Sequence, residues 1–104
     1  MNKLDISEIQ IIPVRPRNGL VAFASCVINS SIYVGNIAIY TAPSSYSGYR
    51  LVYPNKTLPN GKDINCVYPI NRDTGEIMQS MIAGKYEEVM EKVGKSYEAN
   101  NTSR

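Results

Sequence analysis

The sequence predicts an α+β domain: a mostly antiparallel β-meander of about five strands followed by one long C-terminal amphipathic helix. Three observations predict it. Turn-forming residues cut the first two-thirds of the chain into short apolar pieces. After Asn71 the hydrophobic period changes from two residues to three and four. The 104 residues, 43% apolar and 19% charged with a net charge of +2, suit one ordinary core rather than a disordered chain. A single domain over 1–98 and a disordered tail over 99–104 are expected.

Asp5 to Val14 reads as the first strand, ending near Pro13 and Pro16. Asn18-Gly19 follows, a strong hairpin signal because both residues tolerate positive φ. Leu20 to Ile28 is apolar at nearly every position, which predicts a central strand buried on both faces. Asn29-Ser30-Ser31 turns the chain into a third strand, Ile32 to Tyr40, where the two-residue period groups Tyr33 with Ile37 and Ile39. A loop over Thr41 to Gly48 leads to a fourth strand, Tyr49 to Tyr53. Asn55 to Lys62 reads as a turn or flap tightened by Pro59-Asn60-Gly61, and Ile64 to Tyr68 as a short fifth strand.

The helix is written in Ile77, Met78, Met81, Ile82, Tyr86, Val89, Met90 and Val93. Asp73 with Glu76 three residues later resembles a capping box. Gly84 interrupts good helix formers, which points to close packing on the sheet.

Composition excludes several chemistries. With no histidine in the chain, Ser-His-Asp catalysis, Cys-His pairs and histidine-ligated metals are ruled out. Cys26 and Cys66 lie forty positions apart in no CxxC arrangement; buried free thiols in a reducing cytoplasm are expected, with one structural disulfide as the rival reading. Most acids fall on the solvent side of the expected helix, and no GxGxxG or Walker pattern occurs. No enzyme activity, cofactor or metal is therefore expected. Met1 to Asp5 shows no export signal. The uncharged stretch Leu20 to Tyr40 is broken by Asn29, Ser30, Ser31 and Asn36, so it reads as strands rather than a membrane span.

Charge is unevenly spread. Between Ile9 and Arg72 stand six basic residues, Arg15, Arg17, Arg50, Lys56, Lys62 and Arg72, against the single acid Asp63. The stretch after them is acidic. If the turns bearing these cations fall on one side, they form a modest phosphate-binding surface; otherwise they are scattered solubilising charge. Eight of the nine aromatic residues are tyrosines, which serve either as strand residues or as base-stacking groups. Tyr46 and Tyr49, beside the long loop, are the pair expected to be exposed.

In order and separation, these parts resemble the stage V sporulation protein G (SpoVG) septation-regulator family. The resemblance rests on the two hydrophobic strands, Pro54-Asn55-Lys56, Pro59-Asn60-Gly61, and Pro69-Ile70-Asn71 before the helix. It covers roughly residues 5 to 92. It implies a small cytoplasmic bacterial protein that forms homodimers and binds DNA or RNA as a regulator of gene expression, of the sporulation or septation type. Lys56 matches the family's turn lysine. The chain departs from the pattern at Thr57, where the family usually has arginine, at Ile64, where a basic residue is common, and near Gly75, where the family often has an arginine that Arg72 could replace.

The leading expectation is a homodimer joined through sheet edges, acting by occupancy. Its nucleic-acid contacts would come from Lys56, Lys62 and Arg50, with Arg15, Arg17 and Arg72 beside them, and no membrane partner is expected. The rival expectations are a protein-interaction module on the same dimeric fold and, more remotely, a small-molecule or peptide binder using the tyrosine-rich loop.

Overall fold

The computed structural model describes the backbone of residues 4–102 and the side chains of residues 4–93. Four antiparallel strands form the main sheet in the order β1-β2-β3-β4: β1 (Ile6–Arg17), β2 (Leu20–Ile28), β3 (Ile32–Thr41) and β4 (Tyr49–Val52). A separate two-stranded hairpin follows, β5 (Asn55–Thr57) and β6 (Asp63–Asn65), and then the helix α1 (Arg72–Thr102). The α+β architecture is the expected one, with two changes. The fifth strand pairs with β5 instead of extending the meander, and it ends at Asn65. The first strand runs through both prolines to Arg17, which the sheet tolerates because β1 is an edge strand and a missing N–H there breaks no ladder.

Both tight turns are of the mirror-image type that suits twisted strands. Asn18 and Gly19 have φ of 52° and 88°, and Asn29 and Ser30 have φ of 52° and 54°. The second turn is tied to β1 as well: the Asn29 N–H donates to the Asp5 carbonyl at 2.7 Å, and the Asp5 N–H donates to Asn29 Oδ1 at 2.8 Å.

Register is where simple alternation fails. Between Ala24↔Ile37 and Cys26↔Val34 the third strand carries one extra residue, with Asn36 at a φ of 56°. Such a bulge reverses the parity of everything before it. Val34 is therefore buried beside Ile37 and Ile39, while Tyr33 turns to the opposite face and is 72% exposed. A second bulge, with Glu8 at a φ of 49°, falls between Ser7 and Gln10 on β1. It lets Ile6, Ile9 and Ile11 all join the core despite their spacing.

The core lies on one face only. Ala22, Ala24 and Cys26 of β2 are small, and the larger Val34, Ile37 and Ile39 flank them; Met78 and Ile82 of α1 close over this strip. β2 is central, as expected, but its other face, with Phe23, Ser25 and Val27, is only half-buried because no second layer covers it. Cys26 is buried, as expected of a free thiol, and burial pushes its pKa up. Cys66 is exposed, contrary to expectation, because the chain after β6 is irregular and lies outside the core.

The helix start differs from the expected capping box. Asn71 is the cap: its Oδ1 accepts the Thr74 N–H at 2.8 Å, leaving Asp73 inside the first turn, where its charge suits the positive helix end. Gly84 is exposed, and a Cβ built on it meets nothing within 4 Å, so the glycine reflects no close approach to the sheet. Ile77 and Met81 remain exposed, so the apolar stripe is wider than the sheet it covers. The tail expected over 99–104 falls outside the residues whose side chains are described. Two stability outcomes follow for thermal or urea unfolding. Gly84→Ala raises stability by up to about 1 kcal/mol, and Asn71→Ala lowers it by about 1 kcal/mol while Asn71→Asp does not.

Candidate functional site

The hairpin that bears two of the six cations stands clear of the sheet, with all six of its strand residues exposed. Its turn is well bonded. The Leu58 N–H donates to the Lys62 carbonyl at 2.7 Å, the Gly61 N–H to the Leu58 carbonyl at 2.8 Å, and the Lys62 N–H to Asn60 Oδ1 at 2.9 Å. Gly61 sits at a φ of 87°, a conformation that requires glycine. These bonds fix where Lys62 leaves the turn. Lys56 lies opposite Ile64 on one face; on the other, Thr57 Oγ1 donates to Asp63 Oδ1 at 2.6 Å. The only acid among the cations is thus tied to the residue that stands where the resembling family has arginine. At the hairpin base the Cys66 N–H donates to the Pro54 carbonyl at 3.2 Å.

The uncovered face of the main sheet is ordered in rows, because directly opposed residues of an antiparallel pair share a face. One row runs Arg17, Leu20, Tyr40, Arg50 across all four strands. The next runs Ile12, Phe23, Ala38, Val52. A shorter row at the far end joins Ser7, Val27 and Tyr33. Arg50 stacks on the Tyr40 ring at 4.9 Å from its centre, which presets the guanidinium above the sheet.

The six expected cations therefore divide. Arg17 and Arg50 share a row, with Arg15 two residues back on the same edge strand; Lys56 and Lys62 share the hairpin. Arg72 stands at the helix start, where its Nε reaches Glu76 Oε2 at 3.1 Å in an exposed i,i+4 pair that neutralises it locally. Among the described residues, no ion pair engages Arg15, Arg17, Arg50, Lys56 or Lys62. Grouping by nearness in sequence separated Arg17 from Arg50. The Asn18-Gly19 turn sets Arg17 opposite Leu20, but the row reaches Arg50 only through the Leu20↔Tyr40 and Tyr40↔Arg50 registers, which no local signal gives.

The long loop is closed, not open. Gln79 of α1 donates through Nε2 to Ser47 Oγ and to the Tyr49 carbonyl, both at 2.7 Å. Gln79 drew no attention in the sequence because it falls between apolar helix positions. Of the two tyrosines expected to be exposed, Tyr46 is 82% exposed. Tyr49 is half-buried, edge-on to Tyr86 with centroids 5.4 Å apart, and its hydroxyl donates to Glu87 Oε2 at 3.1 Å. Burial raises the pKa of both rings, and Glu87 adds to each shift.

An apolar pocket opens beside the helix start, lined by Ile28, Val34, Tyr53, Val67, Tyr68 and Met78. The Tyr53 hydroxyl donates to Met78 Sδ at 3.7 Å, and burial, with the nearby Cys26 thiol, pushes its pKa up to about 12. Among the described residues no cluster of side chains suits a metal ion. No helix among them is long and apolar enough to cross a membrane.

Comparison with known families adds one finding: the SpoVG family model matches residues 4–88. No curated protein matches the chain.

The Tyr53 environment makes a pH prediction. The folded state holds that proton up to about 12, whereas an unfolded tyrosine releases it near 10. Between those values the folded state binds more protons, so stability present below pH 10 is lost as pH rises. Urea unfolding between pH 9 and 11 should show that loss, and Tyr53→Phe should make it shallower.

Proposed function

The chain belongs to the SpoVG family, a family of regulators, and from that membership we propose a dimeric nucleic-acid-binding regulator of bacterial gene expression, of the sporulation or septation type, acting in the cytoplasm by occupancy. The observation that carries the reading is the projecting hairpin. Lys56 and Lys62 stand on it exposed and, among the described residues, outside any ion pair. Exposed, unpaired lysines on a rigid turn attract phosphates of either DNA or RNA without reading bases. Arg50, Arg17 and Arg15 add positive charge from the sheet, and Arg72 adds least because Glu76 offsets it.

The homodimer is proposed through a sheet edge, and the two edges are unequal. β1 carries Pro13, Pro16 and irregular register, features that discourage strand addition. β4 has no proline and ends the sheet with an unpaired side, so it is the edge that suits a second copy. Pairing there doubles a cation set too sparse to bind strongly alone.

A second reading, a protein-interaction module on the same dimeric fold, draws on Thr57. The Thr57 to Asp63 bond holds a carboxylate on the same hairpin as the two lysines, and the charge balance of the turn is weaker than an arginine would give.

Salt dependence separates the two. If both copies of Lys56 and Lys62 touch duplex phosphates, their replacement by Ala flattens the log–log salt slope by roughly 3–4. A dimer that binds no member of a varied DNA and RNA pool in a salt-sensitive way is the result expected of the interaction module. Light scattering on the free protein checks the dimer itself.

A further inference from the structure

We propose that the uncovered face of the four-stranded sheet is a platform for single-stranded nucleic acid. Bases would stack on Tyr33 and Phe23, and phosphates would be held by Arg17 and Arg50. The proposal rests on the nucleic-acid reading above and adds to the hairpin a second surface of different chemistry.

The rings are placed to stack. Tyr33 is 72% exposed, and a methyl placed on Gly35 would meet its ring at 3.0 Å. The absence of that methyl leaves room for the ring beside Gly35, where most of its surface stays open to solvent. Phe23, the only phenylalanine in the chain, sits in the middle of the apolar row instead of in the core. The ring is half-buried, so part of it stays open to a partner. Ile12, 62% exposed, extends the same row toward the edge.

The cations are placed to hold a backbone. Arg17 and Arg50 end one row at opposite edges, three strand spacings or about 14 Å apart. Stacking on Tyr40 holds Arg50 in place before any ligand arrives. Of the residues in β1 to β4, Glu8 is the only acid, and it occupies the bulge of the edge strand, outside the paired rows.

Charge complementarity selects the occupant. A second copy laid face to face would bring the same acid-free rows against Arg17 and Arg50, giving them no carboxylate. A duplex would supply phosphates but keep its bases stacked inside, leaving Tyr33 and Phe23 with nothing to cover them. A single strand supplies phosphates for the arginines and free π faces for the rings. A dimer joined along β4 keeps this face open and doubles its width.

The test uses the full chain and fluorescence anisotropy with mixed-sequence 20-mers: single-stranded DNA, single-stranded RNA and the matching DNA duplex. Tyr33→Ala should weaken binding of at least one single strand roughly tenfold. It should leave the salt slope and duplex binding unchanged, and Tyr33→Phe should restore affinity. The site is exposed, so the variant should fold, which circular dichroism checks. Photocrosslinking with thiouridine-bearing RNA, or thiothymidine-bearing DNA, should label the peptide containing Tyr33 or Phe23. If Tyr33→Ala binds single strands normally while the Lys56→Ala/Lys62→Ala variant does not, the platform is overturned and the hairpin reading stands. If the wild-type chain binds none of the three probes, both fall. If Tyr33→Ala turns a dimer into a monomer, the face belongs to a second copy and the platform is overturned.

Discussion

One helix covers one face of a four-stranded sheet, and the rest of the molecule follows from that limit. The contact is made by Met78 and Ile82 against a strip of small residues, Ala22, Ala24 and Cys26, flanked by Val34, Ile37 and Ile39. The helix backbone comes closest to the two edge strands, β1 and β4, from which Ile9, Ile11, Tyr49 and Leu51 pack around the strip. Truncating one of the fully buried isoleucines would remove contacts that nothing nearby can replace. Because the described residues hold no second helix, the opposite face keeps Ile12 and Tyr33 exposed and Phe23 only half-buried.

Register irregularities decide which residues meet the helix, two of them through an extra residue in β3 and in β1. Without the extra residue at Asn36, strict alternation would bury Tyr33 and expose Val34; with it, Val34, Ile37 and Ile39 share the core. The bulge at Glu8 does the same for Ile6, Ile9 and Ile11. Both positions hold non-glycine residues at positive φ, a conformation that asparagine tolerates better than glutamate. The strained residues are thus spent on register. The same parity change that packs the core also sends Tyr33 to the open face.

The sequence made the fold class, the Asn18-Gly19 turn, the bounds of β2 and the helix stripe legible, because each rests on local chemistry or a clear period. What it hid was long-range. No local signal separates Asn36 in a bulge from Asn36 in a regular strand, so the two-residue period groups Tyr33 with Ile37 and Ile39. Asn71 took the cap from Asp73 because the helix begins one residue before that acid, and both residue types cap well. The six cations were readable as residues, and the lysine turn as a unit. The partnership of Arg17 with Arg50 was not, since it depends on three successive strand registers and appears only when these are followed across the sheet.

That partnership changes how the positive charge should be understood. A net charge of +2 spread over the surface would give little attraction at physiological salt, where fields fade within about 8 Å. Local arrangement matters more than the total. The hairpin holds two lysines a few residues apart on a bonded turn, while the sheet holds two arginines about 14 Å apart across its width. Apart from Asp63 on the hairpin and Glu8 on β1, much of the acid lies on the helix: Glu76 and Glu88 pair with Arg72, Lys85 and Lys92 there, on the layer that covers the other face. The helix that closes the core therefore also gathers negative charge away from the open face. One structural choice, covering the sheet once instead of twice, produces both the buried side of this domain and the open side on which the proposed polyanion site lies.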